Sequence, residues 1–204
     1  MTRLMIAVPT LDYIHRRFVE SLSNLTRRLA YCGFHFDVCF EGCTLVYISR
    51  DNLVNRAIRS GCDRILWLDA DMVFDEDIYE KLRETDEDFV TGAYKGRHGS
   101  GRPCIFDKLE PPKRWEEFKT GNGDIPLMQI EGCGFGAVLT STEMCEDILN
   151  SNGTCFRPTV SLGEDLAFCK RAKDAGYPLY VRTDIPIGHI AQNILWNDRD
   201  DERA

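Results

Sequence analysis

The residues best suited to bind a cation are two aspartates separated by one alanine, Asp69 and Asp71. They directly follow the uninterrupted apolar run 65–68, which is typical of a strand covered on both faces. Ligands of open α/β sheets bind at the carboxyl ends of the strands. Carboxylate oxygens at such a place suit Mg²⁺ or Mn²⁺, which often bind one or two carboxylates together with substrate phosphates. The pattern predicts a divalent-metal site, and its structural alternative is a solvated acidic turn.

A second pair of carboxylates, Glu164 and Asp165, stands in the segment Ser-Leu-Gly-Glu-Asp that begins at Ser161. Ser161 and Glu164 fit a capping box, in which Glu164 simply stabilises a helix start. Asp165 in the first turn would also interact favourably with the helix dipole. The functional alternative is a carboxylate placed at a helix N-terminus to accept a proton from a hydroxyl group. Both interpretations stay open on these residues alone.

Three other positions carry polar groups next to predicted strands. His189 follows a late strand and is a candidate metal ligand through its neutral imidazole, although a lone histidine is more often structural. Thr10 ends the first strand, and Arg50 and Asn52 stand where a helix is predicted to open. The planar guanidinium of Arg50 suits a phosphate or a base edge. The alternative is a helix cap with a surface arginine.

Short apolar runs alternate with amphipathic segments, which predicts the secondary structure that must position these residues. Strands are predicted at 4–8, 34–40, 65–68, 89–91 and 179–181. Helices are predicted from Asp12 to Gly33, from about Asp51 to Gly61, and from near Ser161 to Gly176. This alternation indicates an α/β fold, a mixed and mostly parallel sheet flanked by helices. No internal repeat or second domain is evident, so residues 1–204 are interpreted as one domain.

The segment 92–126 lacks periodicity and is rich in glycine, proline and basic residues. A structureless stretch of this length is uncommon inside a compact domain, so it is interpreted as a functional loop or lid, with a solvated loop as the alternative. Its basic residues are Lys95, Arg97, Arg102, Lys108, Lys113 and Arg114. A glycine-rich strand follows at 132–139, and the polar tail 197–204 is expected to fray.

The composition excludes several classes of protein. The formal net charge of −8 disfavours a protein that depends on phosphate-backbone contacts with nucleic acid. No apolar run approaches the length of a transmembrane span, and the N-terminus lacks a secretory pattern, so a cytoplasmic protein is expected. The nine scattered cysteines are interpreted as reduced and mostly buried. A zinc site from Cys32, His35, Cys39 and Cys43 is disfavoured, because their spacing matches no common zinc motif.

The order of the motifs adds information that no single motif carries. Val-Pro-Thr ending a strand is followed by Ser-Arg-Asp-Asn-Leu-Val, Leu-Trp-Leu-Asp-Ala-Asp-Met, Gly-Cys-Gly-Phe-Gly, Gly-Glu-Asp-Leu-Ala-Phe-Cys and a late Gly-His. Across roughly residues 4–190 this series resembles the GT-A-fold glycosyltransferases, in particular inverting, family-2-like members. The resemblance implies a Rossmann-like nucleotide-binding half at about 1–91 and an acceptor-binding half at 92–190. It also implies Mn²⁺ or Mg²⁺ and a UDP- or GDP-sugar donor.

The same resemblance implies roles for individual residues. The implied metal ligands are Asp71 and His189, with Asp69 beside them. The residues implied to hold the nucleotide sugar are Thr10, Arg50, Asn52, Asp69 and Ala70, with Gly134 in the segment 132–136 that lies beneath the donor and acceptor sugars. Asp165 is implied to be the catalytic base, with Glu164 next to it in acceptor binding. The basic loop is expected to close over the donor and exclude water.

The sequence therefore predicts a metal-dependent glycosyltransferase acting on an acceptor hydroxyl, with inversion. The acceptor is left open between a glycan, a small molecule and, less favoured, a modified nucleic acid. One alternative is a non-catalytic module that binds nucleotide sugars. The other is a haloacid-dehalogenase-type phosphatase, whose Asp-x-Asp-x-Val pattern is present at residues 69–73. That pattern is expected after the first strand of a phosphatase, whereas about three strands precede it in this chain.

Overall fold

The computed structural model describes residues 2–11, 13–97, 101–119 and 125–191, and the backbone of residues 194–196. Its strands are β1 (Arg3–Thr10), β2 (His35–Gly42), β3 (Arg64–Leu68), β4 (Met72–Phe74), β5 (Phe89–Gly92), β6 (Ile105–Leu109), β7 (Pro112–Arg114), β8 (Leu127–Ile130), β9 (Gly132–Cys133), β10 (Ala137–Ser141), β11 (Leu179–Arg182), β12 (Ile187–Ile190) and β13 (Ile194–Trp196). Its helices are α1 (Arg16–Tyr31), α2 (Val46–Arg59), α3 (Ile78–Arg83), α4 (Thr142–Asn152) and α5 (Glu164–Asp174). Asp12 and the tail 197–204 lie outside the described residues.

A seven-stranded sheet forms the centre of the molecule, with the strand order β2-β1-β3-β10-β5-β11-β8. Strands β2 and β3 are parallel to β1, and β11 is parallel to β5. Because β10 is antiparallel to both β3 and β5, those two strands point the same way, and only β10 and β8 run against the rest of this sheet. The predicted fold class, a mixed and mostly parallel sheet flanked by helices, is confirmed.

Both faces of the sheet are covered, which explains the continuous apolar runs in the sequence. Along β3, Ile65 and Trp67 enter one core cluster, with apolar residues of α2, α4 and α5. Leu66 and Leu68 enter the opposite cluster, with apolar residues of α1 and α3. A half-exposed strand would show polar residues at alternate positions, whereas β3 needs apolar side chains on both faces. None of the described helices is long and apolar enough to cross a membrane.

The second helix begins earlier than its sequence predicts. Helix α2 starts at Val46, so the predicted start near Asp51 is wrong, and Arg50 lies within the helix rather than at its cap. The side chain of Asp51 instead accepts hydrogen bonds from the backbone N–H groups of Cys155 and Phe156 and from the hydroxyl of Thr154. An aspartate that caps a distant loop has the same local sequence as one that caps its own helix.

The basic segment 92–126 is more structured than its composition predicts. Strands β6 and β7 form an antiparallel hairpin, and β6 also pairs with β9. The hairpin is anchored by Ile105, Leu109 and Trp115, which are buried in the core. Three anchoring residues spread over eleven positions do not produce a helical or strand period, so the sequence pattern could not reveal them. Residues 98–100 and 120–124 of this segment lie outside the described residues.

The helix that carries the second carboxylate pair begins at Glu164, with Gly163 as its N-cap residue. The capping-box interpretation is therefore wrong, because Ser161 does not occupy the cap position. Glu164 is the first helical residue rather than the third, and Asp165 follows it in the first turn, as predicted. At the first turn their side chains lie near the exposed N–H groups of the helix end, where negative charge is favoured.

The contacts of Asp51 give a test of this arrangement. Asp51→Ala removes the acceptor of two buried backbone N–H groups, so we expect it to lower the free energy of unfolding by about 2 to 3 kcal/mol. The neighbouring variant Asn52→Ala loses only an exposed hydrogen bond to Glu41, so it should change the free energy of unfolding by less than about 0.5 kcal/mol. Urea denaturation measures both values. Equal losses in the two variants would contradict the role assigned to Asp51.

Candidate functional site

Polar side chains from five parts of the chain converge at one edge of the central sheet. Thr10 is the last residue of β1, and Asp69 directly follows β3. Arg50 comes from α2, Asp165 from the first turn of α5, and His189 from β12. The carboxyl ends of parallel strands open into a crevice of this kind, because the helices that follow them diverge to the two faces of the sheet.

A buried arginine holds three carboxylates together. One terminal nitrogen of Arg50, Nη2, donates to Asp69 Oδ1 at 3.0 Å. The other, Nη1, donates to Asp165 Oδ1 and lies 3.4 Å from Glu164 Oε1. The Arg50 side chain is only 3% exposed, and its guanidinium lies over the rings of Phe135 and Phe156. Burial opposes the charge, but the three carboxylates outweigh it and raise the pKa of Arg50, so the side chain is cationic at any working pH.

The acidity of Asp165 differs from that of an exposed aspartate. Burial raises the pKa of its carboxyl group to about 6, with smaller contributions from the charges of Glu164 and Asp69, while Arg50 opposes this shift. The side chain still keeps 29% of its surface open to the crevice. At neutral pH the carboxyl group is mainly ionised, yet it is a stronger base than an ordinary aspartate. These are the properties that a general base requires.

Asp71 takes part in a second cluster, separate from the contacts of Arg50. Its Oδ2 atom is 3.4 Å from His189 Nε2 and forms an ion pair with Arg97. His189 Nδ1 lies 2.9 Å from the backbone oxygen of Lys95, and this contact makes Nδ1 the protonated nitrogen. Burial lowers the pKa of His189, so its imidazole is neutral at neutral pH. The lone pair of Nε2 therefore points towards Asp71 and Arg97.

The chemistry of this second cluster fits a divalent cation. A carboxylate oxygen and a neutral imidazole nitrogen are ligands for Mn²⁺, and a backbone oxygen that fixes the far nitrogen of a histidine is the usual support of such a ligand. Among the described residues, no group of three His, Cys, Asp or Glu side chains could hold a metal ion. Asp69 is turned towards Arg50 instead. The protein would thus supply two ligands, Asp71 and His189, and the remaining ligands would come from a bound molecule and water.

The crevice has two connected chambers. The outer chamber, of about 560 Å³, is lined by residues that include Thr10, Tyr13, Ser49, Ala70 and Asp71. The inner chamber, of about 420 Å³, is lined by residues that include Tyr94, Cys104, Phe106, Arg114 and Gly134. Both chambers share Asp69, Arg97, Glu164 and Asp165. The charged residues therefore lie at the junction, where a molecule in one chamber would meet a molecule in the other.

One residue of the predicted site lies elsewhere. Asn52 is exposed, donates to Glu41 Oε1 at 2.9 Å and lines neither chamber, so the structure does not bring it to the nucleotide side of the crevice. Successive side chains of a helix point in directions about 100° apart. Because the side chain of Arg50 faces the site, that of Asn52, two residues later, faces away from it. The structure does bring together Thr10, Arg50, Asp69, Ala70, Asp71, Gly134, Glu164, Asp165 and His189. Their roles stay predictions.

Tyr94 is a site residue that sequence analysis missed. Its hydroxyl accepts a hydrogen bond from the backbone N–H of Gly136 at 2.9 Å, and its ring packs edge-on against His189. A Cβ atom on Gly134 would lie 2.4 Å from the Tyr94 hydroxyl oxygen, and one on Gly136 would lie 2.8 Å from its ring. The closely spaced glycines of 132–136 were the available signal, because they indicate a bulky neighbour.

This fold is that of solved GT-A glycosyltransferases. No family model matches the sequence, and no curated protein sequence matches it. A197 from STIV has 18% identity and a TM-score of 0.61, over 100% of this chain and 98% of that one. The catalytic domain of Drosophila β1,4-galactosyltransferase 7, solved with xylobiose, has 14% identity and a TM-score of 0.56, over 100% of this chain and 76% of that one.

A third solved structure, GalNAc-T7 with UDP, GalNAc and Mn²⁺, has 11% identity and a TM-score of 0.60. The match covers 93% of this chain but 44% of that protein, so this chain corresponds to less than half of it. A mutant of the Drosophila enzyme was solved with manganese, UDP-Gal and xylobiose. At these identities the likeness establishes the shared fold.

The dependence of the site on Arg50 can be tested directly. Arg50→Gln leaves three neighbouring carboxylates without their counter-charge, so we expect a loss of about 3 to 5 kcal/mol in the free energy of unfolding near pH 8. Burial raises the pKa of Asp165, and the variant lacks the Arg50 charge that opposes this rise, so the pKa of Asp165 is higher still in the folded variant. Protonation stabilises such a fold, and the loss should shrink towards pH 5. Urea denaturation at both pH values measures it.

The matched control is Arg56→Gln, an exposed arginine on the same helix, which should change stability by less than about 0.5 kcal/mol. A loss in Arg50→Gln that is equal at the two pH values would contradict the electrostatic explanation.

Proposed function

We propose that this chain is a divalent-metal-dependent glycosyltransferase, which moves a sugar from a UDP- or GDP-sugar to an acceptor hydroxyl group with inversion. The single observation that carries the proposal is the junction between the two chambers. There a buried arginine holds Asp165 on one side, and Asp71 and His189 face each other on the other side. A base and a metal-binding pair in one crevice suit the two halves of this reaction.

The outer chamber is proposed to hold the nucleotide diphosphate. Thr10 and Ser49 supply hydroxyl groups along its wall, and Tyr13, which is 93% exposed, offers a ring at its rim. Asp71 and His189 would hold Mn²⁺ or Mg²⁺, which offsets the diphosphate charge and stabilises the leaving group. Asp69, fixed by Arg50, would accept hydrogen bonds from the ribose or the sugar. The solved structures of GalNAc-T7 with UDP and Mn²⁺ and of the galactosyltransferase with UDP-Gal support this assignment.

Asp165 is proposed to act as the base on the acceptor in the inner chamber. Its carboxylate takes the proton of the acceptor hydroxyl, whose oxygen attacks the anomeric carbon of the donor. The bond from that carbon to the β-phosphate oxygen breaks as the new bond forms on the opposite face, and the nucleotide diphosphate leaves. Glu164 lies beside Asp165 and would bind another acceptor hydroxyl. Arg50 holds the Asp165 carboxylate in one orientation, which reduces the entropic cost of reaching the reactive geometry.

The role of Asp165 has a sharp test. Asp165→Asn keeps the size of the side chain but removes its basicity, so we expect sugar transfer to fall by about 10² to 10⁴-fold. The affinity for UDP and Mn²⁺ should stay within about twofold, because asparagine keeps the size of the side chain and the proposed metal ligands, Asp71 and His189, are unchanged. Release of UDP or GDP from UDP-glucose, UDP-galactose and GDP-mannose, with water or added monosaccharides as acceptor, measures transfer. Calorimetry measures binding.

The control for this test is Glu143→Gln, which removes an exposed acid from the first turn of α4, away from the crevice. It should leave transfer unchanged. If transfer survives in Asp165→Asn, then Asp165 only stabilises the helix start and inversion is no longer favoured. Nucleotide binding without turnover in the unaltered chain would favour the non-catalytic module.

The metal-binding pair gives an independent prediction. His189→Ala should weaken Mn²⁺ binding in the presence of UDP by at least about tenfold, because it removes one of two protein ligands. Arg97→Gln should strengthen it by about fivefold, because the guanidinium competes with a cation for Asp71. Electron paramagnetic resonance of free Mn²⁺ measures both changes without any turnover. Unchanged affinity in both variants would place the cation elsewhere.

A further inference from the structure

We propose that the inner chamber recognises an anionic group, a carboxylate or a phosphate, and that Arg114 is the residue that binds it. The proposal rests on the proposed function, because it names the chemical class of molecule that this site selects. The observation behind the proposal is the set of contacts that the guanidinium group of Arg114 makes. Arg114 is half-buried at the end of β7 and lines the inner chamber.

The charge of Arg114 lacks an acidic partner among the described residues. Its Nη2 atom donates to the sulfur of Cys104 at 3.0 Å, a weak acceptor, and its Nε atom is buried with no hydrogen-bond partner within the described part of the chain. Other arginines contact carboxylates, whether they are half-buried like Arg114 or more deeply buried: Arg28, 37% exposed, contacts Glu80, and Arg182, 4% exposed, contacts Asp184. A half-buried guanidinium with free donors is costly unless a ligand satisfies it.

The surroundings hold the guanidinium in place. The guanidinium of Arg114 lies close to Gly96, where an added Cβ atom would be 3.1 Å from both terminal nitrogens. The central carbon of the guanidinium, Cζ, lies 5.6 Å from the centre of the Phe106 ring. These contacts orient the planar fork at the wall of the chamber. A fixed fork with free N–H groups matches the two oxygens of a carboxylate or a phosphate, and it pairs with them through two parallel hydrogen bonds.

The acidic residues of the same chamber are already paired with another cation. Asp69, Glu164 and Asp165 also line the inner chamber, and all three contact Arg50. Arg97, the other cation of the chamber, is paired with Asp71. Arg114 is thus a positive charge without a described partner, facing a cavity in which a hydroxyl group would meet Asp165. A sugar that carries both a hydroxyl group and an anionic group could contact Asp165 and Arg114 together.

Two sources could supply that group, the donor sugar or the acceptor, and the experiment separates them. Affinities are compared within pairs that differ only in charge, by calorimetry with the full chain. UDP-glucuronic acid against UDP-glucose, with Mn²⁺, tests the donor. Methyl β-glucuronide against methyl β-glucoside, and glucose 6-phosphate against glucose, test the acceptor with and without UDP. We expect at least one anionic member to bind about tenfold more tightly than its neutral partner.

Variants then assign the preference to the residue. Arg114→Gln should abolish the preference for the anionic ligand. Arg114→Lys, which keeps the positive charge but loses the planar guanidinium, should retain part of that preference. The matched control is Arg102→Gln, an exposed arginine of the same segment that pairs with Glu116 and should keep all of it. The proposal is overturned if the unaltered chain binds the charged and the neutral member of every ligand pair equally well. It is also overturned if Arg114→Gln keeps the preference for the charged member. If the nucleotides do not bind, the proposed function is overturned instead. The role of Arg114 is still tested in that case, because the glycoside pairs are also measured without UDP.

Discussion

The site depends on the ion pairs of one buried arginine. Asp69 lies 19 residues from Arg50 along the chain, and Asp165 lies 115 residues away, yet the same guanidinium contacts both. Three carboxylates gathered in one place repel one another, and each resists burial. The guanidinium reduces both obstacles, because its positive charge offsets part of the negative charge of the cluster and its N–H groups donate to carboxylate oxygen atoms. The contacts that position the proposed base therefore also join α2, β3 and α5.

The two arginines at the junction differ in how firmly they are held. Arg50 is 3% exposed and lies over two aromatic rings, whereas Arg97 is 46% exposed on an irregular segment. Exposed ion pairs exchange partners at little cost, while buried ones are fixed by the packing around them. The structure thus combines a rigid side, which carries Asp165, with an adjustable side, which carries Asp71. That division suits a site that must keep one group fixed while charged ligands enter and leave.

The sequence predicted the features that follow from local periodicity. The run 65–68 indicated a strand buried on both faces, and β3 is buried on both faces. Asp69 and Asp71 were located because two carboxylates after such a strand are conspicuous. The features that the sequence did not predict depend on contacts between residues that are far apart along the chain. Asp51 binds a loop about a hundred residues away, so its sequence context misplaced the start of α2. The family resemblance assigned Asn52 to the site, but its side chain donates to Glu41 instead. Phe135 and Phe156 look like ordinary core residues until Arg50 is placed over them.

The position of β10 has a consequence for synthesis on the ribosome. Leu68 of β3 pairs with Ala137 of β10, and β10 also separates β3 from β5. Until residue 141 has emerged, the growing polypeptide carries the backbone edge of β3, whose residues 65–68 are apolar, without its neighbour β10. Such nascent edges favour aggregation, and pairings between remote residues form slowly. The molecule therefore acquires its finished sheet only after most of its translation is complete, and β3 lacks one of its two neighbouring strands during that interval.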